Sequence, residues 1–136
     1  MDSRQAALVV ARGRAVIGLV SLTFPGVVNR VFLGAAAATP QAKALTRMVG
    51  VRDVALGVGA LTSVKENTQG PEWLSMGAVA DGVDGLVALA LRHPPRRTRW
   101  IALFAGANAV FSLKLSRDLA DARTAAANDA SLEPSA

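Results

Sequence analysis

Four apolar blocks divide the sequence, and each is close in length to a segment that crosses a lipid bilayer. The blocks cover residues 6–28, 45–64, 73–91 and 100–115. Proline or glycine stands at their boundaries, in the pairs Pro25-Gly26, Thr39-Pro40, Gly70-Pro71 and Pro94-Pro95. The abundant alanine and glycine disfavour strands. The sequence therefore predicts an all-α fold, a four-helix transmembrane bundle with short loops, over residues 1–117.

Two further segments lie outside the blocks. Residues 31–38 are apolar but short, and we interpret them as an interfacial piece between the first two helices. Residues 118–136 are rich in Ala, Asp, Asn and Ser and have no sustained apolar face, which predicts a disordered C-terminal tail. The first apolar run has no small-residue cleavage site close behind it, so we expect the N-terminus to be retained.

Composition also favours a membrane protein. Of the 136 residues, 51% are hydrophobic, which leaves too little polar surface to cover one compact soluble domain. Only 4% are aromatic, whereas 12 glycines are spread through the chain, and small residues suit close helix packing in lipid. The net charge of +5 comes mainly from arginines without interleaved aromatic residues, so nucleic acid is not expected as a partner. The predicted location is the cell membrane, with several passes and lipid as a partner.

Charged residues inside the first three blocks are the main objection to this interpretation. Six of them interrupt the apolar runs away from the block ends: Arg12, Arg14, Arg52, Asp53, Asp81 and Asp84. A strict hydropathy rule would reject such spans, and a soluble helical bundle with these charges on its surface is the alternative. The charges balance, however, with three arginines against three aspartates, as ionisable groups inside a bilayer must. We therefore retain the membrane interpretation.

Each predicted helix has one face that combines polar and small residues at helical spacing. The four faces consist of Arg14, Gly18 and Ser21; Gly50, Asp53, Gly57 and Ala60; Gly77, Asp81, Asp84 and Ala88; and Ala105, Asn108 and Ser112. We expect these faces to meet inside the bundle, with the glycines of the second and third blocks in contact. The remaining faces are aliphatic and suit lipid, as at Val54, Leu61, Val79, Leu86 and Leu103.

The short loop between the second and third blocks predicts specific ion pairs. Such a loop requires the two helices to run antiparallel. Reflecting the hairpin about Thr68 brings Arg52 close to Asp84. By the same reckoning Arg14 and Asp81 lie six to eight residues from one membrane face, so we expect them to form a second pair.

These residues, with Asn108 from the fourth block, form the candidate site: Arg14, Arg52, Asp53, Asp81, Asp84 and Asn108. In one hypothesis the charges lock helix register, and the chain is an accessory protein that holds a partner transmembrane helix or a second copy. In the other the carboxylates line a polar cavity, and the chain is a small carrier or ligand-binding bundle for a cation or an amphiphile. Complete pairing of the three aspartates favours the first hypothesis.

A motif in the third block resembles the opening of the signature of the CDP-alcohol phosphatidyltransferases: Asp81-x-x-Asp84-Gly85-x-x-Ala88. The resemblance implies a metal-dependent lipid transferase. The sequence departs from that pattern at Leu89, where the family has arginine, and the fourth block offers only Asn108 in place of two further aspartates. Two carboxylates make a poor magnesium site. We therefore expect no catalytic residues, no metal and no cofactor.

A second resemblance concerns the second block, which reads Met48-Val49-Gly50-Val51-Arg52-Asp53-Val54-Ala55-Leu56-Gly57. With the paired Asp and Gly of the third block, it resembles small four-helix integral membrane proteins of unknown function from high-GC bacteria. It is distantly similar to DoxX-like proteins. The resemblance covers residues 8–115 and implies a fold and a location but no activity.

Positive charges in the loops predict an orientation. We expect the loops with Arg30, Lys43 and Arg47 and with Arg92, Arg96, Arg97 and Arg99 to lie in the cytoplasm. The loop at residues 65–72 and both termini would then lie outside. The single histidine, His93, lies in the second of these basic loops, where it is expected to contact lipid head groups.

Overall fold

The structure is a computed structural model that describes residues 2–90 and 96–132. Within those residues the chain contains helices and no strand, which confirms the all-α prediction. The helices are α1 (Ser3–Thr23), α2 (Pro25–Phe32), α3 (Pro40–Lys65), α4 (Gly70–Ala90) and α5 (Arg96–Leu132), with a short 3₁₀ turn at Ala35–Ala37. Four of these helices are long, and α2 is a short insertion between the first two.

The first predicted block divides into two helices at Phe24. Pro25 cannot donate a backbone hydrogen bond to α1, and its fixed φ suits the first position of a new helix instead. Helix α1 therefore ends at Thr23, and α2 begins at Pro25. The predicted interfacial piece at residues 31–38 consists of the end of α2 and the 3₁₀ turn.

A buried asparagine attaches α2 to α3. The side chain of Asn29 is almost fully enclosed, and its amide donates to the carbonyl of Ala37 at 3.4 Å. Its carbonyl oxygen accepts a hydrogen bond from the hydroxyl of Thr46 at 2.5 Å. Thr39 caps the start of α3 by accepting from the amide of Ala42 at 3.2 Å. The connection between α1 and α3 is thus fixed at both ends.

Helices α1 and α3 pack antiparallel, with backbone against backbone. A Cβ atom added at Gly18 would lie 2.8 Å from the carbonyl oxygen of Gly50, and one added at Gly57 would lie 2.6 Å from the amide nitrogen of Ala15. Only glycine fits at these positions. The prediction that Gly57 faces the third block is therefore wrong, because this glycine faces α1.

Helices α4 and α5 form a second antiparallel pair. A Cβ atom at Gly85 would lie 3.4 Å from the carbonyl oxygen of Ala102, and the hydroxyl of Ser116 donates to the carbonyl of Pro71 at 2.7 Å. Between the two pairs, the ring of Trp73 covers Gly59 of α3. The four long helices therefore run alternately up and down.

An apolar cluster closes the end of the bundle at which α1 begins. Its members are Ala6, Ala7, Val64, Leu74 and Leu115, with Leu8, Val10 and Leu119 packed around them. These residues come from all four long helices. Because alanine supplies two of the five buried positions, the helices approach each other closely at this end.

The C-terminal segment differs from the sequence prediction. Helix α5 continues to Leu132, whereas a disordered tail was expected from residue 118 onwards, and residues 133–136 lie outside the described part. Alanine has the highest helix propensity, and extending an existing helix requires no new nucleation. Two contacts tie the start of the extension to the bundle: Ser3 to Asp118 at 3.4 Å and Arg123 to Glu72 at 3.6 Å.

Two described helices, α1 and α4, are long and apolar enough to cross a membrane, and each has 21 residues. This finding concerns length and composition alone, and a core helix of a soluble protein can have the same length and composition. Helices α3 and α5 do not meet them among the described residues.

A buried arginine–aspartate network as the candidate functional site

One hydrogen-bonded network at the middle of the bundle unites all six residues that the sequence singles out. Helix α1 contributes Arg14, α3 contributes Arg52 and Asp53, α4 contributes Asp81 and Asp84, and α5 contributes Asn108. Each long helix therefore supplies at least one member. The network links the α1–α3 pair to the α4–α5 pair.

Arg14 is the centre of the network. One nitrogen of its guanidinium group donates to Asp53 Oδ1 at 3.2 Å. A second nitrogen, Nη2, donates to Asp81 Oδ2 and, at 3.3 Å, to the backbone carbonyl of Gly77. The side chains of Arg14, Asp53 and Asp81 are 8%, 13% and 12% exposed, so the protein itself removes this part from solvent.

Glycine at position 77 makes room for this arginine. A Cβ atom there would lie 3.3 Å from three atoms of the Arg14 side chain, closer than most real Cβ contacts. The absence of a side chain lets the guanidinium lie against the α4 backbone and reach the carbonyl. Gly77 therefore serves the charge network, and the prediction that it meets the glycines of α3 is wrong.

The second part of the network is a two-pronged ion pair. Arg52 Nη1 donates to Asp84 Oδ1 at 2.9 Å, and Arg52 Nη2 donates to Asp84 Oδ2 at 2.6 Å. Such bidentate geometry is the strongest arrangement of guanidinium and carboxylate. These two side chains are 33% and 38% exposed, so the pair lies at the edge of the network. Arg52 also donates to Asp53 Oδ1 at 3.2 and 3.1 Å, which joins the two parts.

Asn108 completes the network from α5. Its side-chain amide donates to Asp81 Oδ2, the same oxygen that accepts from Arg14. One turn further along α5, the hydroxyl of Ser112 is 1% exposed and has no hydrogen-bond partner in the described part of the chain. The carboxylate of Asp81 thus receives donors from two helices besides its own.

Both predicted ion pairs, Arg52 with Asp84 and Arg14 with Asp81, are confirmed. Asp81 lies eleven residues after the start of α4 at Gly70 and nine before its end at Ala90. The charges are therefore near the helix midpoints. The predicted balance of three arginines against three aspartates is wrong, since Arg12 is exposed and lies outside the network.

The sequence reasoning missed the link from Arg14 to Asp53, the Gly77 carbonyl and the Asn29–Thr46 contact. The contact of Asn29 could have been predicted, because an asparagine within an apolar run must find a hydrogen-bond partner when it is buried. Nothing in the sequence indicates the orientation of the Arg14 side chain. One arginine can reach either neighbouring helix, and only the packing decides.

The chemistry of this network does not fit a divalent metal site. No group of three or more His, Cys, Asp or Glu residues that could hold a metal ion occurs within residues 2–90 and 96–132. Each of the three aspartates in the network already binds a guanidinium group. The transferase resemblance at Asp81 and Asp84 therefore has no support from the geometry. His93 and Arg92 lie outside the described residues.

No family model, curated protein or solved structure matches this chain. The resemblance to DoxX-like proteins therefore stays a prediction. The function has to be argued from the network and from the surface around it.

Proposed function

We propose that the chain is an integral membrane protein in which α1, α3, α4 and α5 cross the bilayer. The observation that carries this proposal is the extent of large apolar side chains on the outside of the bundle, combined with polar side chains in its interior. The buried polar side chains are Ser21, Asn29, Ser63, Asp81, Ser112 and Ser116. Large apolar side chains are exposed on the outside, among them Val16, Ile17, Val79, Val83, Leu86, Leu103, Phe104 and Val110. Continuous apolar surface of this kind is unfavourable in water and suits lipid.

The network explains how α3 can cross a membrane although it carries Arg52 and Asp53. Ionisable groups at bilayer depth face the bundle interior and pair with one another. Arg52 binds Asp84 and Asp53, so the charges of α3 are paired, although the Arg52 side chain is 33% exposed at the edge of the network. In α5, Arg99 and Lys114 flank an apolar segment, and their long side chains can extend to the head groups at either side.

The alternating helix directions place the N-terminus and the extension of α5 on the same side of the bilayer. We retain the predicted orientation, with the α2 side in the cytoplasm. The proposed location is therefore a multi-pass position in the cell membrane of a bacterium.

The role that fits this arrangement best is that of a non-catalytic accessory protein. All three aspartates bind guanidinium groups, which leaves no open carboxylate pair for a carried cation. The network then fixes the four helices in one register. A rigid bundle of this kind can present a constant surface to another membrane protein.

The surface proposed for that contact is a groove along α5. It has a volume of about 810 Å³ and is lined by Leu103, Gly106, Ala107, Val110 and Phe111, with Arg99 and Lys114 towards its ends. A Cβ atom at Gly106 would meet nothing within 4 Å, so a partner backbone can approach closely there. Positive charge at both ends of the groove would repel the same charges on a second copy, so pairing of two identical grooves is disfavoured. The proposed occupant is a transmembrane helix with carboxylates at both ends.

Placing a charge on the outer face tests the membrane proposal. Leu86→Asp replaces an exposed side chain, so in a soluble bundle it would change stability by less than about 0.5 kcal/mol. In a bilayer such a change costs about 2.5 to 3.5 kcal/mol at a helix centre, and Leu86 lies four residues before the end of α4, so the cost there is at most of that order. We expect the wild-type chain to resist extraction by alkaline carbonate and Leu86→Asp to reduce the membrane-bound yield severalfold. Thr124→Asp, on the exposed extension of α5, is the matched control.

The outcome against the proposal is equally clear. Complete release of the wild-type chain by carbonate, with Leu86→Asp as stable as Thr124→Asp, would establish the soluble bundle instead.

The accessory role has a separate test with a defined probe. Two synthetic apolar helical peptides, one with glutamates at both ends and one with lysines, are reconstituted with the protein in uncharged vesicles. We expect energy transfer to a labelled chain from the glutamate peptide only, and its loss when Gly106→Leu fills the groove. Gly82→Leu, at another open glycine, should leave the transfer intact. Equal transfer from both peptides, or self-association of the chain through α5, would reject the proposed occupant.

A further inference from the structure

The network contains unequal numbers of positive and negative groups. Arg52 engages both oxygens of Asp84, so these two residues form a neutral pair. Arg14 contacts both Asp53 and Asp81, and Arg52 also contacts Asp53, so two positive charges in all stand against three negative ones. With all five groups ionised, the network would carry a net charge of −1.

No other helix supplies the missing charge within the described residues. The titratable groups that meet in the network are Arg14 from α1, Arg52 and Asp53 from α3, and Asp81 and Asp84 from α4. Helix α5 contributes Asn108, which is neutral. The nearby Arg12 is exposed and forms no ion pair in the described part of the chain.

An uncompensated charge at this depth is costly. The side chains of Arg14, Asp53 and Asp81 are almost fully removed from solvent, and a buried charge without a partner costs several kcal/mol. When two carboxylates lie beside the same guanidinium group, this cost is avoided if one of them takes up a proton. The proton comes from solvent and bonds to one carboxylate oxygen, and no other bond changes.

We propose that Asp53 and Asp81 share one bound proton beside Arg14, while Arg52 and Asp84 stay ionised. The proton is a property of the pair rather than of either residue. The proposal does not depend on a surrounding bilayer, because the protein itself encloses these side chains.

An unpartnered hydroxyl supports this location independently. Ser112 is four residues after Asn108, and residues at that spacing share one face of a helix. The hydroxyl is therefore directed to the side on which Asn108 reaches Asp81, and it is 1% exposed without a partner. A hydroxyl can both donate and accept a hydrogen bond, so it adds a buried polar group on this side of α5 without adding charge. A metal cation fits less well, since the carboxylates already bind guanidinium groups.

Infrared spectroscopy of the purified full chain in detergent tests the proposal directly. We expect a C=O stretching band of a protonated carboxylic acid at neutral pH that shifts in D₂O and vanishes at alkaline pH. Asp53→Asn and Asp81→Asn should each remove that band, because one amide then replaces the protonated carboxyl. Asp129→Asn, at an exposed position of α5, is the matched control and should leave the band unchanged.

Stability against pH supplies the second measurement. The folded chain would hold one proton that the unfolded chain has released at neutral pH, so stability should fall as pH rises. For one proton the folding equilibrium constant changes by at most about tenfold per pH unit. The decline should end once the pair has lost its proton. Asp53→Asn and Asp81→Asn should each remove this pH dependence. The double variant should not fold stably, because Arg14 then has no counter-charge.

The wild-type chain alone can overturn the proposal. A folded wild-type protein without a protonated-carboxyl band at neutral pH, or with stability that does not decline from acidic to alkaline pH, would show that all three aspartates are ionised. This conclusion stands even if the single variants do not fold. Neither measurement depends on carbonate extraction, so the membrane proposal succeeds or fails separately.

Discussion

Two contacts hold this bundle together by different means. Helices α1 and α3 meet through glycine and alanine backbones, with Gly18, Gly50 and Gly57 at the points of closest approach. At the middle of the bundle, the α1–α3 pair meets the α4–α5 pair through the charge network around Arg14. The first contact depends on the absence of side chains, whereas the second depends on particular side chains. Volume therefore controls one contact and charge controls the other.

This difference has a structural consequence. Dispersion between close backbones has little directionality, so such a contact tolerates small shifts along the helix axis. A bidentate guanidinium and carboxylate fix both distance and orientation. We infer that the glycine contact supplies closeness and that the network supplies register. The three predictions below separate these contributions.

The largest effect is expected at the glycine contact. In Gly57→Leu the new side chain would overlap the backbone of Ala15, where even a Cβ atom would lie 2.6 Å from the amide nitrogen. Backbone cannot move aside as a flexible side chain can, so the loss of stability should exceed about 3 kcal/mol. Thermal unfolding in detergent measures it. Gly13→Leu is the matched control, because a Cβ atom there meets nothing within 4 Å.

If Gly57→Leu and Gly13→Leu unfold at the same temperature, the backbone contact does not determine the stability of the α1–α3 pair. The comparison between the two contacts would then have to be abandoned.

The second effect concerns the centre of the network. Arg14→Gln leaves Asp81 without a counter-ion and Asp53 with Arg52 alone, and breaking a buried pair in this way costs about 3 to 5 kcal/mol. Uptake of a further proton would recover part of that loss, so the deficit should be smaller at acidic pH. Arg30→Gln removes an equal charge from an exposed position of α2, outside the four proposed spans, and should cost less than about 0.5 kcal/mol. Equal losses in both variants would contradict a central role for Arg14.

The sequence alone predicts the all-α fold and both ion pairs well, for a physical reason. Proline and glycine mark the boundaries of the long helices, and a short loop imposes an antiparallel hairpin, so Arg52 and Asp84 come together by geometry alone. Asp81 and Arg14 follow from the same alternation of directions. Local signals and chain connectivity are sufficient for these features.

Helix neighbours are harder to predict, because several glycine faces are equivalent in sequence. Gly57 could meet α4 or α1, and only the packing of the whole bundle selects α1. The charge count was wrong for a related reason, since Arg12 and Arg14 differ by two positions and therefore point to different sides of α1. The helical extension beyond residue 118 has no apolar face that would have predicted it, and alanine propensity alone gives a weak signal.

The smallest effect is expected at the edge of the network, where Arg52 and Asp84 are each about one-third exposed. Asp84→Asn removes one counter-ion of Arg52, but Asp53 still binds this arginine, and the side chain is only partly enclosed by the protein. We therefore expect a loss of about 1 kcal/mol, clearly below that of Arg14→Gln.

The double variant Arg52→Gln with Asp84→Asn should recover part of this loss, because it strands neither charge. The cycle of two single variants and one double variant measures the coupling directly by thermal unfolding. Strictly additive effects would mean that the two residues do not stabilise each other, although their geometry is bidentate. A coupling as large as the loss in Arg14→Gln would mean that the edge of the network is as well shielded from solvent as its centre. The distinction between the two parts of the network would then disappear.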